Sequence, residues 1–324
     1  MSPIRTGFIG AGDIARSHAG ILKDNRDVVL GAVYDIKEDI SRQFAAEHGM
    51  QYLSSIEAVI DDSDAVYIAS PNKSHAELTL LALEQKKHVF CEKPFALNLS
   101  DAQKIMESGE GNGQIYQLGF NRRFAPVYWK MKELILAGEI FPKSFNIKMN
   151  RGELQVPAWL SDPEQTGGFL FESALHLVDI VRYLFGDVRK VTAVGSKSIY
   201  PCVDDFSIIF EMESGIHGVF SSTAHATWIF PFERVEIYGD HSSIFNNEME
   251  SVSFCLDLES EVEKLEYSQL PIEDRWGYRQ ENKAFIDRIS GQQSDESSLV
   301  ATKIDGYKNV ELLESIYDQI GLGR

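Results

Sequence analysis

The sequence predicts an α/β protein: a doubly wound parallel sheet first, then an α+β domain whose strands pair mostly antiparallel. Three observations carry this. An apolar run, a glycine turn and a helical run follow one another at the N-terminus; strands and helices alternate through the first third; and beyond residue 121 strands come consecutively, joined by turns such as Glu213-Ser214-Gly215. Alternation implies crossover helices and parallel pairing, whereas short turns join antiparallel neighbours. With 324 residues, 44% of them hydrophobic, the chain can bury two cores, and the change of pattern divides it into 1–121 and 122–324.

Ile4-Arg5-Thr6-Gly7-Phe8-Ile9 reads as the first strand and 16–22 as the helix after it. Between them Gly10 permits a tight turn, Gly12 lets backbone N–H groups approach a ligand, Asp13 and Ile14 open the helix, and small Ala15 lets helix and strand pack closely. A helix N-terminus reached this way can hold a pyrophosphate. The next strand, 28–34, ends in Asp35, about 20 residues further on, where a carboxylate accepts hydrogen bonds from ribose hydroxyls and repels a 2′-phosphate. That favours NAD, while the cation of nearby Lys37 leaves NADP open.

Helices over 37–48 and 74–85 and strands at 51–53, 65–69 and 88–91 continue the alternation. Ligands of such sheets lie beyond the strand carboxyl ends, so Ser70-Pro71-Asn72 and Glu92-Lys93-Pro94 are expected to line a cofactor crevice. After strand 114–120 come a helix at 126–137 and strands at 144–151, 190–197, 205–212, 216–225, 234–238 and 252–258. Two late helices, 278–290 and 302–320, flank a polar loop at 291–298.

Composition excludes other classes. A formal charge of −18 and a pI near 4.9 disfavour nucleic acid or an anionic membrane surface as partner. Cys91, Cys202 and Cys255 are odd in number and widely spaced, which fits a reducing compartment. No apolar stretch approaches the roughly 20 residues that span a bilayer, and no signal-peptide core precedes the first strand, so a cytoplasmic protein is expected.

The segment Gly167-Gly168-Phe169-Leu170-Phe171-Glu172-Ser173-Ala174-Leu175-His176-Leu177-Val178-Asp179 reads as a buried helix with one polar stripe. At about 3.6 residues per turn, Glu172, His176 and Asp179 share a face. Titratable groups in apolar surroundings cost several kcal/mol unless they satisfy one another or a ligand. A carboxylate and an imidazole at i, i+4 suit acid/base chemistry; a satisfied core histidine near the positive helix end is the other reading. No further His, Cys or carboxylate at helical or hairpin spacing completes a metal site, and none is expected.

These motifs, with Gly119-Phe120-Asn121-Arg122-Arg123-Phe124, together resemble the Gfo/Idh/MocA family, the glucose-fructose oxidoreductase and inositol dehydrogenase relatives, in order along the whole chain. The resemblance implies an NAD(P)-binding Rossmann domain over 1–121 and a substrate-binding and oligomerisation domain over 122–324, the latter on an open, mostly antiparallel sheet. It implies hydride transfer between nicotinamide and a secondary alcohol or ketone of a sugar, sugar derivative or inositol. In that chemistry His176, an imidazole that titrates near neutrality, is the acid/base, and Lys93 donates to the same oxygen as charge develops. Glu172, where relatives usually carry Asp, orients the histidine or grips a substrate hydroxyl. Asn72, His75 and Arg122 are implied beside the cofactor, and Glu92 at the nicotinamide ribose. Relatives commonly assemble as dimers or tetramers, so a homodimer or homotetramer is expected. A non-catalytic cofactor- or sugar-sensing protein on the same scaffold is the alternative; retention of both Lys93 and His176 favours the enzyme.

Overall fold

A computed structural model of the chain describes residues 2–108, 113–153, 157–292 and 298–322, so 293–297 of the polar loop lie outside the described residues. The first sheet contains β1 (Ile4–Ile9), β2 (Val28–Tyr34), β3 (Gln51–Tyr52), β4 (Ala65–Ile68), β5 (His88–Glu92) and β6 (Tyr116–Gly119), all parallel, in the order β3-β2-β1-β4-β5-β6. The order reverses between β1 and β4, and the crevice outside such a reversal is where this architecture holds ligands. Ile9 is in register with both Tyr34 and Ile68, so Gly10, Asp35 and Ala69 emerge side by side.

Tyr67 stacks between Phe8 and Phe90 at 4.9 and 4.8 Å across three neighbouring strands. Each ring is fully buried and contributes about 1.5–3 kcal/mol in apolar transfer. Phe285, on the helix Tyr278–Ile289, meets Tyr67 and Phe90 edge-on at 5.5 and 5.6 Å. That contact corrects the expected domain limits. The first compact unit takes Gly277–Val310 along with Met1–Asn121, and the second comprises Arg122–Trp276 and Glu311–Arg324 rather than an unbroken 122–324. The physical reason is the apolar face Ala284, Phe285 and Ile286, buried in the first unit's core.

The second unit carries β7 (Ser144–Asn150), β8 (Val188–Ser196), β9 (Asp205–Met212), β10 (His217–Thr223), β11 (Glu233–Tyr238), β12 (Ser243–Asn247), β13 (Ser251–Cys255) and β14 (Glu263–Glu266). Their order is β14-β13-β12-β11-β7-β10-β9-β8, with β7 and β10 parallel and the other described pairs antiparallel. One face is apolar and covered: Phe206, Ile208, Phe210 and Met212 alternate inward along β9, and Phe145 stacks on Phe185 of the helix Leu175–Phe185 at 4.3 Å. The opposite face leaves Val194, Ile209 and Val219 exposed. Among the described residues no helix is long and apolar enough to cross a membrane.

Among the described residues, the elements that escape the sequence reading include the helices Ile56–Asp61 and Leu99–Glu107, β12 and β14. Each is short. The four residues of β14 are Glu-Lys-Leu-Glu, with no apolar alternation to mark a strand. Both helices do carry readable caps, since Ser55 Oγ accepts from the Ala58 N–H and Asn98 Oδ1 from the Asp101 N–H.

Candidate active site

Gly10 lies at φ +99°, and a Cβ there would fall 2.5 Å from the Ala69 carbonyl oxygen, so only glycine lets β1 turn against the end of β4. Gly12 caps the helix Asp13–Leu22 without a side-chain hydrogen bond, and a Cβ added to it would meet nothing within 4 Å. The Asp13 side chain is exposed, Ile14 is half-buried, and Ala15 is fully buried against the sheet. Asp35 accepts the Ala11 N–H on Oδ2 and the Lys37 N–H on Oδ1, each at 2.9 Å. These bonds aim the carboxylate beside the glycine loop and leave further lone pairs for hydroxyl donors. The open helix start, the space above Gly12 and the adjacent carboxylate fit the pyrophosphate and ribose of a dinucleotide.

At the end of β4, Ser70 Oγ shares a 2.7 Å hydrogen bond with Ser74 Oγ, and Asn72 is buried in a single turn of 3₁₀ helix, Asn72–Ser74. His75, expected beside the cofactor, is 1% exposed, with Nδ1 2.9 Å from the Pro94 carbonyl oxygen and Nε2 2.8 Å from that of Ser70. Both ring nitrogens are occupied, so the ring ties the loops after β4 and β5 together. Two carbonyls can only accept, which favours the doubly protonated ring. Burial pulls its pKa down, but the Cys91 side chain and the two carbonyls outweigh that and hold it at about 9. A raised folded-state value contributes stability that is full below about pH 6.5 and lost as pH rises through about 9. His75→Gln is therefore expected to lower Tm more in mildly acidic than in alkaline buffer; thermal melts giving the same drop at both would remove the imidazolium.

Glu92 ends β5 and its Oε1 lies 2.8 Å from His18 Nε2, while its Oε2 accepts the Lys93 N–H at 3.3 Å. Lys93 is half-buried, followed by a cis peptide to Pro94. His18, Glu92 and Glu281 form a buried trio whose ligand atoms all lie within 4.8 Å of one another. The sequence reading missed His18 and Glu281. Their signal was present: His18 falls on the same helix face as apolar Ala15, Ala19 and Leu22, and Glu281 lies just before the apolar run Ala284-Phe285-Ile286.

In the second unit, Leu175 N–H reaches back five residues to the Leu170 carbonyl, so Leu170–Ala174 form a widened π turn before the α-helix Leu175–Phe185. Such turns recur at functional sites, and the uniform 3.6 spacing does not run through this one. Glu172 and His176 are half-buried, whereas Asp179 is 1% exposed and bound by Arg123 through two 2.7 Å hydrogen bonds. The single polar stripe thus separates into a partly open pair and a closed ion pair. Arg122, expected beside the cofactor, is buried in the second unit with Nε and Nη2 on the Glu233 carboxylate at 3.0 and 2.8 Å, and its guanidinium lies 5.2 Å from the Trp276 ring centre. A buried carboxylate that also accepts the Tyr128 hydroxyl at 2.5 Å needs this cation.

Arg151, absent from the sequence reading, follows β7. Its Nη2 donates to Ser173 Oγ, and its guanidinium lies 4.8 Å from the Trp228 ring centre and 5.7 Å from that of Phe169. Burial draws its pKa down to about 10, against the opposing pull of the Glu172 carboxylate. The strand-end rule that flagged Glu92 and Lys93 applies to parallel sheets, and β7 lies in the mixed one.

Residues 4–120 match a family profile described as an oxidoreductase family with an NAD-binding Rossmann fold, and residues 128–245 match the GFO/IDH/MocA C-terminal domain. The chain belongs to the GFO/IDH/MocA oxidoreductase family. This family member is 31% identical over 297 residues to a myo-inositol 2-dehydrogenase of Thermotoga maritima, covering 88% of each chain. It is 34% identical over 187 residues to a glucose-6-phosphate 3-dehydrogenase of Bacillus subtilis, covering 56% of this chain and 53% of the relative. A levoglucosan dehydrogenase solved with NADH and levoglucosan shares the fold, with a TM-score of 0.88 at 20% identity over 99% of this chain and 98% of that one. In this GFO/IDH/MocA chain, Gly10, Gly12, Asp35, Ser70, Asn72, Glu92 and Lys93 belong to the first unit, and Glu172, His176 and Arg151 to the second.

Proposed function

We propose that this chain is a cytoplasmic NAD-dependent dehydrogenase or reductase that interconverts a secondary alcohol and a ketone on a sugar, sugar derivative or inositol. The observation that carries the reading is the Asp35 carboxylate held by the Ala11 N–H beside an uncapped helix start, within a family of NAD-binding oxidoreductases. The relatives named above act on ring carbons bearing secondary hydroxyls, which supports that substrate class. Bound NAD supplies the hydride acceptor. His176 takes the hydroxyl proton, Lys93 donates a hydrogen bond to the oxygen as negative charge develops on it, and Glu172 orients the imidazole or holds a neighbouring hydroxyl. Gly10, Gly12, Asp13, Ile14 and Ala15 form the pyrophosphate turn, Asp35 takes the adenosine ribose, and Ser70, Asn72 and Glu92 line the crevice toward the nicotinamide.

Absorbance of reduced nicotinamide, followed with NAD over a polyol panel that includes myo-inositol and glucose 6-phosphate, tests this. NAD binding without turnover across the panel would favour a sensor on the same scaffold. Asp35→Ala is expected to weaken NAD and narrow its advantage over NADP, because the residue both accepts ribose hydroxyl bonds and repels a 2′-phosphate. An unchanged ratio of the two affinities, measured by titration, would take Asp35 off the ribose. The exposed apolar residues Val194, Ile209 and Val219 on the uncovered sheet face support a homodimer or homotetramer, which light scattering would read directly.

A further inference from the structure

The buried trio in the first unit contains a carboxyl group that no mechanism above uses. Glu281, on the helix Tyr278–Ile289, is 0% exposed, and neither Oε atom has a hydrogen-bond partner among the described residues. Its neighbours fix their own protons. Asn282 Nδ2 donates to the Tyr278 carbonyl at 2.8 Å, which sets the amide orientation, and the same nitrogen donates to His18 Nδ1 at 2.8 Å. His18 Nδ1 is therefore an acceptor, Nε2 carries the hydrogen, and that hydrogen goes to Glu92 Oε1. The groups facing Glu281 are His18 from the first helix, Tyr67 from β4 and Glu92 from β5; Gln117 on β6 gives its amide to the Glu281 main-chain carbonyl. None of them is a cation when His18 is neutral.

An ionised Glu281 would be a second buried negative charge beside Glu92, with no cation or donor to offset its lost hydration. A metal ion would need His18 Nε2, which already holds a hydrogen while Nδ1 is occupied. A proton needs neither change.

We propose that Glu281 is a positioning residue that folds as the neutral acid, so that the trio carries one negative charge, held at the end of β5. Burial first, and the Glu92 carboxylate second, push the Glu281 pKa well above the usual carboxylate range. The consequence for Glu92 at the cofactor crevice rests on the NAD reading above; the protonation itself does not.

The carboxyl ¹³C resonance of Glu281 in the full chain, identified by its loss in Glu281→Gln, is expected to keep the chemical shift of the acid form at neutral pH. The ordinary carboxylate shift at neutral pH overturns the proposal. Stability gives a second reading. A carboxyl whose folded-state pKa is raised stabilises fully below its unfolded value of about 4.3 and loses that contribution as pH rises. Glu281→Gln, a neutral isostere, is therefore expected to gain Tm relative to wild type as pH rises. A pH-independent difference, or a wild-type melt that chelator lowers and added divalent metal restores, overturns it in favour of a merely structural or cation-bound carboxylate. In the cofactor arm, Glu281→Ala is expected to bind NADH several-fold more weakly than Glu281→Gln, read by nucleotide fluorescence, and equal affinities overturn the positioning role. A wild type that binds no NADH overturns the NAD reading instead, and the resonance and melting measurements then decide the proton.

Discussion

His176→Ala is expected to lower kcat by about 10²–10⁴-fold, the range a positioned general acid/base contributes. Removing the imidazole leaves the alcohol proton to water, while the Asp35 carboxylate and the glycine loop lie in the other compact unit and keep their bonds. NADH affinity and Tm are therefore expected to stay near wild type, which separates a chemical loss from a folding loss. Lys93→Ala should lower kcat similarly, because the oxygen then loses its charged hydrogen-bond donor as negative charge develops. Full activity of either variant in the reduced-nicotinamide assay would remove that residue from the chemistry. A raised KM with unchanged kcat would assign it to substrate binding alone.

Asp179→Ala is expected to cost about 3–5 kcal/mol, the size associated with breaking a buried ion pair by removing one partner. The Arg123 and Asp179 side chains are 5% and 1% exposed, and the pair is bidentate, so the alanine leaves a guanidinium buried without its carboxylate. The Tyr183 ring, 5.4 Å from the guanidinium, is a weak substitute. The double variant Arg123→Met/Asp179→Leu should recover much of the loss, because no charge then stays behind. Denaturant unfolding followed in both proteins checks this. A loss in Asp179→Ala below about 1 kcal/mol, typical of exposed pairs, would mean that water reaches the site.

The contrast between these residues explains what was legible beforehand. Gly10, Gly12, Ala15 and Asp35 are tied to one local unit of strand, turn, helix and strand, so their spacing along the chain already carries their geometry. The partners of Arg122 and His75 were not legible in this way: Arg122 finds Glu233, and His75 finds the Pro94 carbonyl, through contacts that local spacing does not carry. Asp179 shares an unbroken α-helix with His176, so their spacing was readable; what the spacing did not carry is Arg123, whose bonds close Asp179 into an ion pair.

From residue order alone came the two sheet types, most of their strands, and the dinucleotide turn with its acidic partner, all features set by local periodicity and short-range turn geometry. Folding settled which charges are spent on one another, Arg122 on Glu233 and Arg123 on Asp179, and which ring N–H meets Glu92, that of His18. It also assigned the helix Tyr278–Ile289 to the first unit and brought Glu281 to Glu92. Such pairings join residues far apart in the chain, and the cost of burying a charge depends on the partners that packing supplies.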